Sequence, residues 1–276
     1  MELLIKGKTY NFEGTELVGV INVTPDSFYS NSRNFNKEKA IKTISHMVDM
    51  GLRVVDIGGE SSRPGAEPVP SSVEINRVVP LIEEVKKTFP DLLVSVDSYH
   101  PETVEAAMKA GADILNDITG LKNPKLLQIV KRYKTAAIIM HMQGEPKTMQ
   151  KNPHYVNVLK EVSSFLFERT REAIASGIDE KSIVIDPGIG FGKRHEDNLE
   201  LLRNIDVFTR SGYPVLVGHS RKSFIGRILN LPIEERLEGT LAITAYLFLK
   251  GVHFIRVHDI KQNLRTIHVL KALKVS

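Results

Sequence analysis

Leu92-Leu93-Val94-Ser95-Val96-Asp97-Ser98-Tyr99-His100-Pro101-Glu102-Thr103-Val104-Glu105-Ala106-Ala107-Met108-Lys109-Ala110-Gly111-Ala112-Asp113-Ile114-Leu115-Asn116 reads as strand, helix, strand. Residues 92–97 form a mostly apolar, β-branched run, as a parallel strand buried on both faces requires. Pro101 suits a first helical position, where the missing N–H costs nothing, and Gly111 follows as a stop. At 114–118 the apolar run resumes.

The same unit recurs along the chain. Strand-like runs fall at 17–23, 53–58, 92–97, 114–118, 136–142, 183–186, 214–218 and 254–258. Between and after them lie helical patterns at 37–50, 71–89, 101–110, 124–133, 155–175, 197–210, 233–249 and 261–273. Eight strand–helix repeats predict an α/β fold, a (β/α)8 TIM barrel, as a single domain over 1–276. The alternative is a doubly wound open sheet, which needs fewer repeats. Residues 1–15 predict a short N-terminal β-hairpin turning at Gly7 and covering the bottom of the barrel.

Composition bounds the chemistry. The chain has 276 residues, 42% hydrophobic and 25% charged, which is ordinary for a globular protein. With no cysteine, disulfides, thiolate metal sites, iron–sulfur clusters and a cysteine nucleophile are excluded. No apolar run reaches the roughly 18 residues of a membrane helix, and the N-terminus lacks the pattern of a signal peptide, so a cytoplasmic protein without membrane contact is expected. The net charge of +4 is mild. Lys261, Arg265, Lys271 and Lys274 read as a solvated helix face rather than a nucleic-acid patch, since no aromatics interleave with them.

Active-site residues of such barrels sit where strands end. Read in order, the strand ends carry Asn22, Asp56, Asp97, Asn116, His141, Asp186, His219-Ser220-Arg221-Lys222 and Arg256-Val257-His258. Helix capping accounts for one or two of these; a polar ring at one mouth, holding a small polar substrate, accounts for the series. Asn22-Val23-Thr24-Pro25-Asp26-Ser27-Phe28 and Gly58-Gly59-Glu60-Ser61-Ser62-Arg63-Pro64-Gly65 follow the first two strands and mix glycine with polar groups, as an anion grip would. Common motifs fail. Asp186-Pro187-Gly188-Ile189-Gly190-Phe191-Gly192-Lys193 departs from a phosphate loop at Pro187 and Arg194. Lys222 replaces the closing glycine of a nucleophile elbow.

Two deep carboxylates, Asp97 and Asp186, with the Asn116 carboxamide suit a guanidine-like heterocycle edge offering several N–H donors. Arg256 and His258, two apart on one strand, suit phosphate oxygens. The competing structural reading is a salt-bridge network of Asp, Lys and Arg filling the top of the barrel.

Taken together these motifs resemble the dihydropteroate synthase family of the folate pathway, over about nine tenths of the chain. The resemblance rests on residues 22–28 and 56–65, Ser95-Val96-Asp97-Ser98, Asn116-Asp117, Met140-His141-Met142-Gln143-Gly144, Asp186-Pro187-Gly188, Ser220-Arg221-Lys222-Ser223 and Arg256-Val257-His258. It implies a pterin-binding barrel that condenses 6-hydroxymethyl-7,8-dihydropterin diphosphate with 4-aminobenzoate, uses Mg²⁺, forms a homodimer and is a sulfonamide target. By position, it implies Asp97, Asn116, Met140, Asp186, Phe191 and Lys222 at the pterin, with Asn22, Ser62, Arg256 and His258 at the diphosphate. Asn22 would be the metal ligand, and Phe28, Arg63, Pro64 and Ser223 the 4-aminobenzoate site. Ser62 stands where the family usually has threonine and keeps the hydroxyl. After Phe28 the chain reads Tyr29-Ser30-Asn31-Ser32-Arg33 in place of the family's Ser-Asp-Gly-Gly. Departure of diphosphate would develop positive charge on the pterin methylene, for which Asp26 is the candidate anion, beside Lys222, Arg256 and His258 as catalytic groups. The alternatives are a pterin-binding methyltransferase domain, which needs no diphosphate grip, and a non-catalytic pterin-binding paralogue, whose mark would be a broken first or second loop.

Overall fold

The computed structural model describes residues 1–23, 33–61 and 65–273, with the backbone alone at 33–36. Ten strands and ten α-helices follow one another among them. A hairpin, β1 (Glu2–Ile5) and β2 (Lys8–Asn11), precedes the barrel strands β3 (Glu16–Asn22), β4 (Val54–Gly58), β5 (Leu93–Asp97), β6 (Ile114–Asp117), β7 (Ala136–Met140), β8 (Ile183–Asp186), β9 (Leu216–Gly218) and β10 (Phe254–Val257). Every neighbouring pair from β3 to β8 is parallel, and β10 lies between β3 and β9. A bridge between Ile185 and Val215 joins β8 to β9 and closes the ring. The barrel expectation is borne out, and the open sheet is excluded by that closure.

Alternation along the strands divides the apolar residues into two cores. Outward-facing Ile21, Ile57, Val96, Leu115, Ile139 and Ile255 pack against the helices in the larger one. Inward-facing Val18, Val54, Leu93, Ile114, Val184 and Phe254 fill only the lower half of the barrel. Leu3, Ile5 and Phe12 of the N-terminal segment join that inner cluster, so the hairpin stoppers the bottom as its position predicts. Its turn carries Lys6 and Gly7 at φ 51° and 78°, the left-handed conformation a two-residue hairpin loop demands. Lys6 Nζ then bonds Asp113 Oδ1 at 2.9 Å, and Lys86 takes Asp113 Oδ2 at 2.9 Å, which anchors the tip between elements far apart in sequence.

Helices cover the outside: α1 (Arg33–Asp49), α2 (Ser71–Thr88), α3 (Pro101–Lys109), α4 (Pro124–Tyr133), α5 (Val158–Ala175), α6 (His195–Arg203), α7 (Asp206–Thr209), α8 (Ser223–Leu229), α9 (Leu237–Leu249) and α10 (Ile260–Leu273). Several differ from expectation: the helix read from 37 starts at Arg33, and the one read from 233 starts at Leu237 behind a single 3-10 turn over Ile233–Glu235. The helix read over 197–210 is broken, because Asn204 Nδ2 binds the Glu200 carbonyl at 2.9 Å and competes with the helical ladder. The helix read from 155 starts at Val158, where Asn157 Oδ1 accepts from Lys160 N at 2.9 Å as a cap. Helix α8 has no counterpart in the sequence pattern. Among the described residues no helix is long and apolar enough to cross a membrane.

Phe12 is 2% exposed and meets Phe254 edge-on at 5.2 Å between ring centroids. Phe12→Ala is expected to lower unfolding stability by about 3–5 kcal/mol, read from urea denaturation.

Candidate active site

Above the apolar layer the inside of the barrel turns polar. Asp56 on β4, Asn116 on β6 and Arg256 on β10 stand inward there, with Asn22, Asp97, Met140 and Asp186 at the upper ends of their strands. Gly58 lies in register between Asn22 and Asp97. A Cβ placed on it would stand 3.7 Å from both Asn22 Oδ1 and Asp97 Oδ2, an ordinary contact distance, so the side chains of its two neighbours flank the glycine on β4.

One cation organises this layer. Arg256 Nε donates to Asp56 Oδ2 at 2.5 Å and Nη2 to Asp97 Oδ2 at 2.8 Å. Asn116 Nδ2 donates to the same Asp56 oxygen at 3.0 Å. Asn116 Oδ1 and Asp56 Oδ1 are buried without a hydrogen-bond partner among the described residues. The carboxamide is thereby oriented, with its carbonyl left as an acceptor for something else.

Burial sets the charges close to balance at neutral pH. Desolvation pushes the Asp97 carboxyl up to about 7 against the pull of Arg256. It pushes Asp186 up to about 6, opposed by the Gly188 N–H that donates to its Oδ1 at 2.7 Å and by Lys222. It pushes Lys222 down to about 7, opposed by Asp186 and Asp97. Lys222 Nζ donates to the Ile189 carbonyl and lies 4.4 Å from the centre of the Phe191 ring. Phe191 in turn packs with Met140, Met142 and Ile118 at the mouth.

Asn22, Asp97, Asn116, Met140, Asp186, Phe191, Lys222 and Arg256 thus gather at one end of the barrel. His258 is turned toward Ser220, its Nδ1 3.0 Å from the hydroxyl. Ser223 opens α8 in an adjoining cleft of about 470 Å³, shared with Gln150, His154 and His195. Asp26, Phe28, Ser62, Arg63 and Pro64 lie outside the described residues.

A family profile described as pterin binding enzyme matches residues 18–258. Dihydropteroate synthase of Haemophilus influenzae is 40% identical over 260 residues, covering 94% of each chain. This chain belongs to the pterin-binding enzyme family, among the dihydropteroate synthases. A solved Yersinia pestis dihydropteroate synthase, described with a sulfonamide drug complex, matches with a TM-score of 0.91 and 34% identity over 99% of this chain and 98% of that one. A Xanthomonas albilineans dihydropteroate synthase solved with 4-aminobenzoic acid matches with a TM-score of 0.91 and 36% identity over 100% and 98%.

Two contributors to the site escape the sequence reading. Asp56 reads as a strand end with no role attached; its signal is its position in an otherwise apolar parallel strand, where a carboxylate must find a cation. Arg221 belongs to a quoted motif yet acts as a clamp. It adopts φ 55° and holds Asp259 with two bonds of 2.8 and 3.0 Å, tying the turn that bears Lys222 to the one that bears His258.

Asp56 is fully buried, so Asp56→Ala leaves Arg256 and Asn116 short of an acceptor. The expected loss is about 3–5 kcal/mol of stability by chemical denaturation; a loss below about 1 kcal/mol would show that the pair is dispensable.

Proposed function

We infer that the chain is a transferase of folate biosynthesis. It condenses 6-hydroxymethyl-7,8-dihydropterin diphosphate with 4-aminobenzoate to give 7,8-dihydropteroate and diphosphate. The observation that carries this reading is the cluster of Asp97, Asn116 and Asp186 beneath one mouth, acceptors matched to the N–H edge of a pterin. Lys222 serves the oxygen edge of the ring, with Met140 and Phe191 as its apolar walls. Identity of 40% with a dihydropteroate synthase supports this activity over a methyltransferase domain or a silent paralogue.

Asn22, Ser62, Arg256 and His258 serve the diphosphate. Arg256 has Nε and one Nη2 N–H committed to carboxylates, so it would reach the anion through its remaining donors. Asn22 offers a single neutral oxygen at the mouth, a donor set that fits Mg²⁺ held mostly by diphosphate oxygens and water rather than a cage of protein ligands. Bound there, Mg²⁺ would neutralise charge on the leaving group. Phe28, Arg63, Pro64 and Ser223 receive 4-aminobenzoate, the position at which sulfonamides compete.

The aromatic amine is already unprotonated at neutral pH and needs no strong base. The bond from the pterin methylene to diphosphate oxygen breaks, the methylene carbon bonds to the amine nitrogen, and the proton shed by nitrogen leaves with diphosphate or solvent. Arg256, His258 and Lys222 hold the departing charge, and Asp26 faces the positive charge that develops on the methylene. Positioning and electrostatics supply the acceleration.

A homodimer belongs to the same reading, and Leu229 on α8, Leu249 on α9 and Val269 on α10 are exposed apolar residues available to it. A cytoplasmic location follows from the folate-pathway reading.

Diphosphate release should depend on 4-aminobenzoate; release at the same rate without it would remove the synthase activity. Asp186→Ala should lower kcat/KM on the order of 10⁴-fold by leaving pterin N–H groups unpaired, and a loss under about tenfold contradicts the pterin assignment. Asp26→Asn should lower kcat while leaving pterin diphosphate affinity near normal, and an unchanged kcat rejects its role. With Asp97 titrating at about 7 and Asp186 at about 6, acidification protonates both acceptors. Affinity for uncharged 6-hydroxymethylpterin should therefore fall by about tenfold or more from about pH 7.5 to about pH 5, read by calorimetry.

A further inference from the structure

Behind the walls of the mouth lies a buried lysine that none of these roles uses. Residues 141–143 after β7 and 187–193 after β8 cross at backbone contact. A Cβ on Gly188 would stand 1.9 Å from the His141 oxygen, and one on Gly192 2.1 Å from the Gln143 oxygen. Crossing so closely brings carbonyl oxygens of both segments together, and like dipole ends repel. Lys193 Nζ sits among them, 3.0 Å from the Phe191 oxygen, 3.3 Å from the His141 oxygen and 3.0 Å from His141 Nδ1. Lys193 is 2% exposed, and burial lowers its ammonium to about 7, restrained by the charges of Asp186 and Asp197. Burial, with the charges of Lys193 and Lys122, lowers the His141 imidazole to about 2. The ring is therefore neutral, and Nδ1 accepts from the ammonium. In effect the two loops build a cation site and fill it with the chain's own side chain.

Burying an ammonium is unfavourable unless its donors are well satisfied, and neutral bonds already pin this loop. Tyr155 donates to the Gly192 oxygen at 2.7 Å and Gly190 N to Asn198 Oδ1 at 2.6 Å. What the lysine adds is a link between the particular residues that face the mouth. It grips the Phe191 carbonyl, and it grips His141, which follows Met140 and whose N–H donates to the Asp186 carbonyl at 3.0 Å. Met140, Phe191 and Asp186 are thus referred to one point.

We propose that Lys193 is a positioning residue for the pterin subsite: its ammonium joins the β7 and β8 loops and fixes the spacing of Met140, Phe191 and Asp186 around the ring of the substrate. This rests on the pterin reading of that mouth. A residue that merely stabilised the fold would affect both substrates alike, whereas Lys193 acts on one.

The chain has no cysteine, so Lys193→Cys introduces a single thiol. Alkylating it with 2-bromoethylamine in urea, followed by refolding, forms one S–C bond with loss of bromide and regenerates an ammonium at nearly the original reach. Lys193→Cys is expected to raise the KM for pterin diphosphate about 10- to 100-fold and to leave the KM for 4-aminobenzoate within about threefold. Aminoethylation should return the pterin KM to within about threefold of the parent value. An unchanged pterin KM, an equal rise in both KM values, or a refolded aminoethylated protein that does not recover overturns the proposal. Should the thiol variant fail to fold, Lys193→Gln is read in the same way, a raised pterin KM alone supporting the role and an unchanged one refuting it. Asp186→Ala, assayed alongside, separates the two levels: if it too leaves the pterin KM unchanged, the pterin reading of the mouth is at fault; if it raises it while Lys193→Cys does not, only the role of Lys193 falls.

Discussion

A guanidinium enclosed by parallel strands must be matched by carboxylates, and the upper half of this barrel is arranged around that requirement. Arg256 lies between Asp56 and Asp97, which come from strands on the far side of the β3 junction. Asn116 donates to the same Asp56 oxygen, which orients its carbonyl. Taking such charges out of water is costly and is offset only by good geometry and further hydrogen bonds. The salt-bridge network read from the sequence is present, and on the proposed pterin reading it serves the pocket as well, since Asp97 both pairs with Arg256 and stands at the upper end of its strand.

The fold is legible because parallel strands advertise themselves. Residues 136–140 are apolar on both faces and 92–96 nearly so, and each run is followed by a helix with a recognisable start or stop. Gly111, read as a helix stop, takes positive φ, as do Gly51, Gly177, Gly212 and Gly251 beyond the ends of other helices. What the pattern cannot give is the break at Asn204, where one amide side chain outcompetes the ladder, and the short α8, which has too few residues for any period to register. In the site, Asp97, Asn116 and Asp186 can be found from strand ends alone. Asp56 cannot be assigned a role that way, since its partner comes from the opposite end of the chain, 200 residues on. Lys193 is visible only as a residue of a failed phosphate loop; its function depends on two backbones crossing, which no spacing rule encodes.

The electrostatic state of the mouth is poised rather than fixed. Asp97, Asp186 and Lys222 all titrate between about 6 and about 7, each driven there by burial and each restrained by neighbouring charges or donors. Such groups have no settled protonation of their own, and in the proposed pterin site a substrate that brings donors to the carboxylates and negative charge to the lysine would select the ionised form of all three at once. Preference for a ligand carrying both features is then a property of the set rather than of any member.

Phe12 leaves the ribosome long before the ring it packs against, Phe254, which β10 supplies. The hairpin cannot stopper a barrel whose closing stave is missing. It must wait, its apolar side chains unburied, through synthesis of the barrel strands, and docking can complete only once β10 has slotted between β3 and β9. A segment made before the barrel is in this way secured after it, and its exposure in the interval is the period in which a nascent chain of this kind most needs protection from its neighbours.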